Sequence, residues 1–211
     1  MISFNYNCTL YFNSAKHCIE SIRKFYEDLP IDVYVDETTP RINDYERLCN
    51  DYNCDFTFRD RVEGYIFRND PIEVNLSKML ESHYRIYLTC KKYNKEWTLL
   101  LEDDVYIKKP IERFPTSDCG KNRHNVSFLG GGSIFKTEAY IKLYEMYGES
   151  GLSDIIKSDH IYSWAGDVLK QRIFIDNGYT HEKWVELAEP GYWDDTNFSV
   201  YHGYKDLHHL G

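Results

Sequence analysis

Three consecutive acidic residues, Glu102, Asp103 and Asp104, are the clearest chemical signal in the sequence. They follow an apolar stretch that begins at Trp97 and is typical of a buried strand, and ligands of open α/β sheets bind at the carboxyl ends of such strands. Adjacent carboxylates repel one another unless a cation lies between them, and oxygen ligands favour Mg²⁺ or Mn²⁺. We expect Glu102 and Asp104, two positions apart on an extended chain, to share one cation while Asp103 points away. The alternative is an acidic turn that caps a following helix.

A second group lies near the end of the chain, where His202 precedes Gly203 and Lys205. An imidazole could complete the coordination of the metal, and a lysine supplies a point charge for a phosphate. The ligand could instead be one of the two later histidines, His208 and His209, or the whole tail could be a solvated end. The segment gains its significance from the acidic site, which still needs a ligand other than a carboxylate.

Four further positions are candidates for chemistry. Arg85 lies on the polar face of a predicted helix over 76–93, where it could either flank the cleft or remain an ordinary surface arginine. Gly131 is the middle of three glycines that interrupt a predicted strand over 126–135, which indicates a bulge or a ligand lying against the backbone. Asp159 and Asp167 are candidates for an acid, base or nucleophile, although most acids of an acidic protein are merely solvated.

Strands and helices alternate along the chain. We predict strands over 2–8, 31–37, 54–58, 97–107 and 126–135, and helices over 14–28, 43–50, 76–93 and 137–147. Such alternation indicates an α/β fold with a mainly parallel, Rossmann-type sheet flanked by helices on both faces. No linker or repeat divides the 211 residues, so we expect a single domain over 1–211.

The composition narrows the function. The 34 acidic and 25 basic residues give a net charge of −9, which argues against partners such as nucleic acids or anionic membranes. The six cysteines lack zinc-type spacing and are expected to be reduced thiols, and no leader or apolar span is visible, so we expect a cytoplasmic protein. The sequence contains no nucleophile elbow, Walker-type phosphate loop or HExxH motif, which excludes the commonest hydrolases, nucleotidases and zinc proteases.

Together these features resemble the GT-A-fold glycosyltransferases, which use nucleotide-sugar donors. The acidic DXD-type motif of that family corresponds to Glu102, Asp103 and Asp104, although its first acid is here a glutamate. The segment SHYRIYL resembles the helix whose arginine reaches the donor, and FLGGGSIF resembles the strand that floors the sugar pocket. YHGYKDL resembles the terminal His-x-Gly-x-x-Lys element of retaining members, but Lys205 is one residue closer to His202 than that pattern requires.

More narrowly, the chain resembles the N-terminal glycosyltransferase domain of a multidomain chlorella virus enzyme. That resemblance implies synthesis of viral glycans in the host cytosol, with further domains after Gly211. It also implies Mn²⁺ (or Mg²⁺) as cofactor, a UDP-sugar such as UDP-glucose or UDP-L-rhamnose as donor, and a glycan hydroxyl as acceptor.

The resemblance also assigns roles to residues. Residues 1–107 would form the nucleotide-binding half and 108–211 the acceptor and sugar half. The metal would be held by Glu102, Asp104 and His202, and Asp159 or Asp167 would stabilise an oxocarbenium-like transition state or orient the acceptor. Donor contacts would come from residues at strand ends and from the motifs above, namely Asn7, Cys8, Asp36, Glu37, Arg85, Asp103, Gly131 and Lys205.

Two other functions compete with this hypothesis. A phosphoryl-transfer or phosphodiester-cleaving enzyme could use the same acids with two metals, but it would need further carboxylates at the site and a basic surface for a polymeric substrate. A carbohydrate-binding module could use the aromatic residues for stacking, but such modules are usually β-sandwiches, and the long amphipathic helices argue against one.

Overall fold

A computed structural model of the chain describes residues 2–6, 11–63, 69–121, 129–163, 165–188 and 197–203. Within them the helices are α1 (Phe12–Arg23), α2 (Ile42–Asp51), α3 (Ile72–Tyr93), α4 (Thr137–Ser158) and α5 (Gly166–Asp176), and a short 3-10 helix spans His160–Ser163. The strands are β1 (Ile2–Tyr6), β2 (Ile31–Val35), β3 (Asp55–Phe58), β4 (Trp97–Leu101), β5 (Val105–Ile107), β6 (Cys119–Lys121), β7 (Ile134–Lys136), β8 (His181–Lys183), β9 (Leu187–Ala188) and β10 (Val200–His202).

Seven strands form the main sheet, in the order β3-β2-β1-β4-β7-β6-β8. The first four are parallel, β7 runs antiparallel to both β4 and β6, and β8 is again parallel to β6. The predicted α/β class with a mainly parallel sheet is thus confirmed. Strands β1, β2 and β4 end at the same edge, so the segments that follow them meet there.

Helices cover both faces of this sheet, as predicted. One apolar core packs α1 and α2 against the sheet and includes Ile19, Leu48 and Leu99. The other packs α3, α4 and α5 against the opposite face and includes Leu100 and Phe174. Successive residues of β4 therefore enter opposite cores, which explains why the strand is apolar except at Thr98, whose hydroxyl is hydrogen-bonded to Thr137.

The structure corrects three predicted boundaries. The stretch 97–107 is not one strand, because it divides into β4 and β5, which belong to different sheets. Of the described part of 126–135, only residues 134 and 135 lie in a strand, the start of β7, since the glycines before it form a turn. Helix α4 continues well beyond residue 147 and is kinked at Gly148, whose φ of 58° interrupts the helical backbone.

A second, three-stranded sheet has the order β5-β10-β9. Strand β10 pairs antiparallel with β5 and parallel with β9. Because β5 begins directly after the acidic residues, this small sheet brings the last described strand to the edge where β4 ends.

Among the residues described above, none of the helices combines the length and apolar character needed to cross a bilayer.

Candidate functional site

The acidic residues form the turn between β4 and β5. Glu102 accepts a hydrogen bond from the backbone N–H of Val105 at 3.2 Å, and the chain then continues as a strand. The alternative that these acids cap a following helix is therefore wrong. The turn lies beyond the carboxyl end of the central strand, which is the edge where open α/β sheets bind their ligands.

Strand pairing brings His202 to this turn. His202 is opposite Val105 in the β10–β5 ladder, and the backbone N–H of Gly203 donates to the carbonyl of Asp104 at 2.8 Å. The Nε2 of His202 lies 3.3 Å from Asp104 Oδ1 and 3.8 Å from Glu102 Oε2. One ligand atom from each of these three side chains lies within 4.8 Å of the others.

The charges of the cluster are strongly coupled. Removal from solvent raises the pKa of Glu102 to about 7, and the nearby carboxylates of Asp167 and Asp104 act in the same direction. Burial disfavours the charged form of His202, but the hydrogen bond with Asp104 and the charge of Glu102 outweigh it and raise the pKa of His202 to about 9. In the metal-free chain the imidazolium therefore neutralises part of the carboxylate repulsion, which a divalent cation would also do.

Asp103, the middle acid, is only 1% exposed and is not one of the three residues of this cluster. Together with Asp104 it raises the pKa of the buried Cys18, although burial of that thiol is the larger cause. The predicted contact of Asp103 with a cofactor stays a prediction.

The three glycines form a turn that approaches the cluster closely. Gly132 has a φ of 77° and donates its N–H to the carbonyl of Leu100 at 2.8 Å. A Cβ added at Gly131 would lie 2.9 Å from Glu102 Cδ, and one added at Gly130 would lie 2.7 Å from Asp167 Oδ2. Because Gly130 and Gly131 have no side chains, Asp167 and Glu102 can lie close to the backbone of the glycine turn.

Arg85 does not lie on a solvent-facing side of its helix, so the alternative of an ordinary surface arginine is wrong, while its predicted contact with the donor stays a prediction. Its side chain is fully buried and donates to Glu81 Oε1 at 3.0 Å, Asp36 Oδ2 at 2.8 Å and Glu63 Oε2 at 3.2 Å. It also donates to the backbone carbonyl of Arg61 at 2.9 Å. The Arg85 side chain of α3 can be buried because carboxylates, two of them from other segments, neutralise its guanidinium.

The other predicted residues have different positions. Asp36, at the end of β2, accepts hydrogen bonds from the N–H and hydroxyl of Thr38 and from the N–H of Glu63, so a contact with a ribose or base would require exchanging one of these bonds. Glu37 is exposed next to it. Asp159 is exposed and accepts the N–H of Ile161 at 3.0 Å, which caps the short 3-10 helix. Asn7, Cys8 and Lys205 lie outside the described residues.

Lys170 on α5 was not predicted from the sequence. Its ammonium lies 3.3 Å from Asp167 Oδ1, and its charge also lowers the pKa of Glu102 and of Glu63 against the larger effect of burial. The sequence offers one signal, namely the helical i, i+3 spacing from Asp167, but such pairs are common on exposed helices.

Comparison with known proteins gives a match at the level of the fold. No protein-family model matches the sequence, and no curated protein matches it. Among solved structures, the chain is similar to two crystal structures of the glycosyltransferase GlyE of Streptococcus pneumoniae TIGR4, one of them the apo form, with a TM-score of 0.61 and 11% identity to each. The alignments cover 96% of this chain but 54% and 55% of those chains, so the chain spans about half the length of the solved structures it matches. At this identity the likeness establishes a shared fold, and function has to be argued from the site.

Proposed function

We propose that this chain is a metal-dependent glycosyltransferase that moves a sugar from a UDP-sugar to a hydroxyl of a glycan acceptor. The observation that carries the proposal is the convergence of Glu102, Asp104 and His202 within 4.8 Å at the carboxyl end of β4. Its support is the likeness of the fold to that of a glycosyltransferase. The diphosphate of a nucleoside diphosphate is negatively charged, so the carboxylates at this edge would repel it unless a cation lay between them.

The donor set fits Mn²⁺ or Mg²⁺. Two of the three ligands are carboxylates, and a set dominated by oxygen ligands suits Mg²⁺ and Mn²⁺. When bound, the metal would supply Lewis acidity that stabilises the charge of the departing UDP.

The residues of the chain would orient the donor around this turn. Glu102 and Asp104 would hold the diphosphate end through the metal, and His202 would act with them as a neutral ligand. The sugar would lie over the glycine turn beside Asp167, whose carboxylate can stabilise positive charge that develops on the ring. Of the two acids considered for that role, Asp167 is favoured, since Asp159 caps a 3-10 helix.

The finer assignments follow from the sequence resemblance and belong to the same proposal. UDP-glucose and UDP-L-rhamnose are the first donors to test. Retention of anomeric configuration, a role in viral glycan synthesis and a cytoplasmic location are expected from the HGYK segment and from the similarity to the viral domain.

A turnover assay tests the proposal. The purified chain is incubated with Mn²⁺ and a panel of UDP-sugars that includes both first donors, and proton NMR follows the anomeric signals. With water in place of the acceptor, the bond between the sugar C1 and the UDP oxygen breaks, a bond between C1 and the water oxygen forms, and the proton of the water is released to solvent. Metal-dependent release of UDP from at least one donor is expected. A panel that stays intact, in a chain that also fails to bind UDP, would contradict the proposal and favour the phosphoryl-transfer alternative.

A further inference from the structure

Lys170 is an unusual residue for its position. Its side chain is 9% exposed, whereas the side chain of its ion-pair partner Asp167 is 42% exposed. The other buried positions of α5 hold the apolar residues Leu169, Ile173 and Phe174 and the uncharged Gln171, so Lys170 is the one charged residue among them. Withdrawing an ammonium from water is costly unless carboxylates surround it, so a position that only needed packing would hold an apolar side chain.

The ammonium of Lys170 lies at the contact between α5 and α3. A Cβ added at Gly166 would lie 3.1 Å from Met79 Sδ and 3.6 Å from Lys170 Nζ, which locates the amine beside that methionine. His83 of α3 is also near: burial, and secondarily the charge of Lys170, lowers the pKa of this imidazole to about 3. The neighbours on this side are therefore uncharged.

Carboxylates face the ammonium from the other side. Asp167 lies at 3.3 Å, and Lys170 acts electrostatically on Glu102 of the acidic turn and on Glu63 of the segment before α3. Three segments that are distant in sequence thus present acids to one buried cation. Asp167 is the only one of the three for which the described structure gives a direct ion pair with Lys170.

Asp167 is held between two partners. Its Oδ1 faces Lys170, its Oδ2 faces the open position at Gly130, and its backbone carbonyl accepts the N–H of Leu129 at 3.1 Å. The carboxylate therefore spans the distance from the buried amine to the glycine turn that also carries Glu102.

We propose that Lys170 is a positioning residue for sugar transfer: its buried ammonium holds the half-exposed Asp167 carboxylate against the glycine turn, where the sugar of the donor lies. This inference rests on the proposed function and deepens it. Lys170 acts on the sugar through Asp167, and its charge affects Glu102 less than Asp167, His202 and Asp104 do, so it influences turnover of the donor more than binding of the nucleotide and metal.

Two substitutions at this position separate charge from packing. Lys170→Met keeps the length and burial of the side chain and removes its charge, while Lys170→Arg keeps the charge. Lys142→Met is the matched control, because Lys142 forms an exposed i, i+4 pair with Glu138 on α4 and its side chain is 63% exposed. For each variant we would measure the affinity for UDP with Mn²⁺ by calorimetry and the rate of UDP release from the panel of UDP-sugars.

Lys170→Met should bind UDP within about threefold of the wild type. Its rate of UDP release should fall by about 10²-fold, the effect expected when a reacting group is misplaced by about 1 Å. Lys170→Arg should recover part of the rate, and Lys142→Met should match the wild type. A Lys170→Met variant with the wild-type rate, or one that loses UDP affinity and rate in equal measure, would overturn the inference.

A double-mutant cycle keeps the test decisive if Lys170→Met lowers stability. Asp167→Asn should lose at least as much rate as Lys170→Met, and the double variant should lose no more than Asp167→Asn alone, because Lys170 acts through that carboxylate. Additive losses would contradict a role through Asp167. A wild type that releases no UDP from the panel would contradict the proposed function, whereas a wild type that binds and releases UDP while Lys170→Met keeps the wild-type rate would overturn the Lys170 inference alone.

Discussion

The Nε2 of His202 lies 3.3 Å from Oδ1 of Asp104, although the two residues come from the second sheet and from the turn that ends the central strand of the first. The pairing of β10 with β5 fixes this relationship, since His202 is opposite Val105 and the next residue, Gly203, donates to the backbone of Asp104. The cluster is therefore built by the junction of two sheets, and the convergence of the three proposed metal ligands depends on that junction being intact.

Asp104→Asn should abolish metal-dependent binding of UDP while leaving the metal-free fold intact. The substitution weakens the charged hydrogen bond with His202, but it also relieves repulsion with Glu102, so the free energy of unfolding in EDTA should fall by no more than about 2 kcal/mol. Calorimetry and urea unfolding measure the two effects. Asp176→Asn, at an exposed pair with Arg172, is the control. A loss of several kcal/mol in the metal-free variant would mean that Asp104 is chiefly structural.

The affinity for Mn²⁺ should increase with pH. A metal binds the neutral imidazole, and the hydrogen bond with Asp104 and the charge of Glu102 raise the pKa of His202 to about 9, against the effect of burial. Between about pH 6 and about pH 8 most of this histidine is protonated in the free chain, so binding must release a proton and the affinity should rise by up to about tenfold per pH unit. Calorimetry in buffers of different ionisation enthalpy would count that proton, and a pH-independent affinity would contradict the arrangement.

The same histidine should make the metal-free chain less stable in base. Its pKa in the folded state is raised to about 9 from an ordinary value of 6.5, so its stabilising effect is complete below about pH 6.5 and is lost as the pH rises through about 9. His202→Gln should flatten this part of the curve of unfolding free energy against pH. A wild-type curve that matches that of the variant from about pH 6.5 to about pH 9 would show that His202 is not charged in the fold.

Arg85→Met should destabilise the fold more than any exposed arginine does. It would leave Asp36, Glu63 and Glu81 without their shared cation in a buried position, which typically costs about 3–5 kcal/mol. Arg172→Met, which breaks an exposed helical pair, should cost about 0.5 kcal/mol or less. Urea unfolding of both variants makes the comparison, and equal losses would show that the Arg85 network contributes no more than a surface pair.

Gly132→Ala should be destabilising for two separable reasons. Its φ of 77° strains an alanine, and the new methyl group would lie 2.7 Å from Leu187 Cδ1. Gly148→Ala shares the positive φ but has open space around the added Cβ, so it isolates the backbone cost of about 1 kcal/mol. The difference between the two variants in thermal or urea unfolding measures the steric part. If Gly132→Ala were no worse than Gly148→Ala, the glycine turn would have room that the structure does not show.

Much of the fold follows from local sequence patterns. Apolar strands such as 31–35 and 97–101 and the helical periodicity of α1 and α3 are sufficient to predict an α/β sheet with helices on both faces. The sequence does not reveal the break between β4 and β5, because no glycine or proline marks it. The chain turns at the three acids because β5 pairs with strands of the second sheet.

The part of the site that could be predicted consists of residues whose type and spacing alone suggest metal binding. The sequence identifies Glu102 and Asp104 by the three acids that follow a buried strand, and His202 as a ligand that could complete a metal site. The structure brings the ligand atoms of these three residues together. Arg85 was misplaced because helical periodicity assigns charged residues to solvent, while its partners Asp36 and Glu63 come from other segments. Lys170 escaped notice for the same reason, since its burial depends on how α5 packs against α3.

Titration calorimetry of the whole chain with UDP, with Mn²⁺ and again with excess EDTA, tests the central claim most directly. Binding that requires the metal, and that Asp104→Asn loses while Asp176→Asn keeps it, is the result that the proposed donor site predicts. A folded chain that binds UDP equally well in EDTA, or under neither condition, would contradict a metal-bridged nucleotide at Glu102, Asp104 and His202.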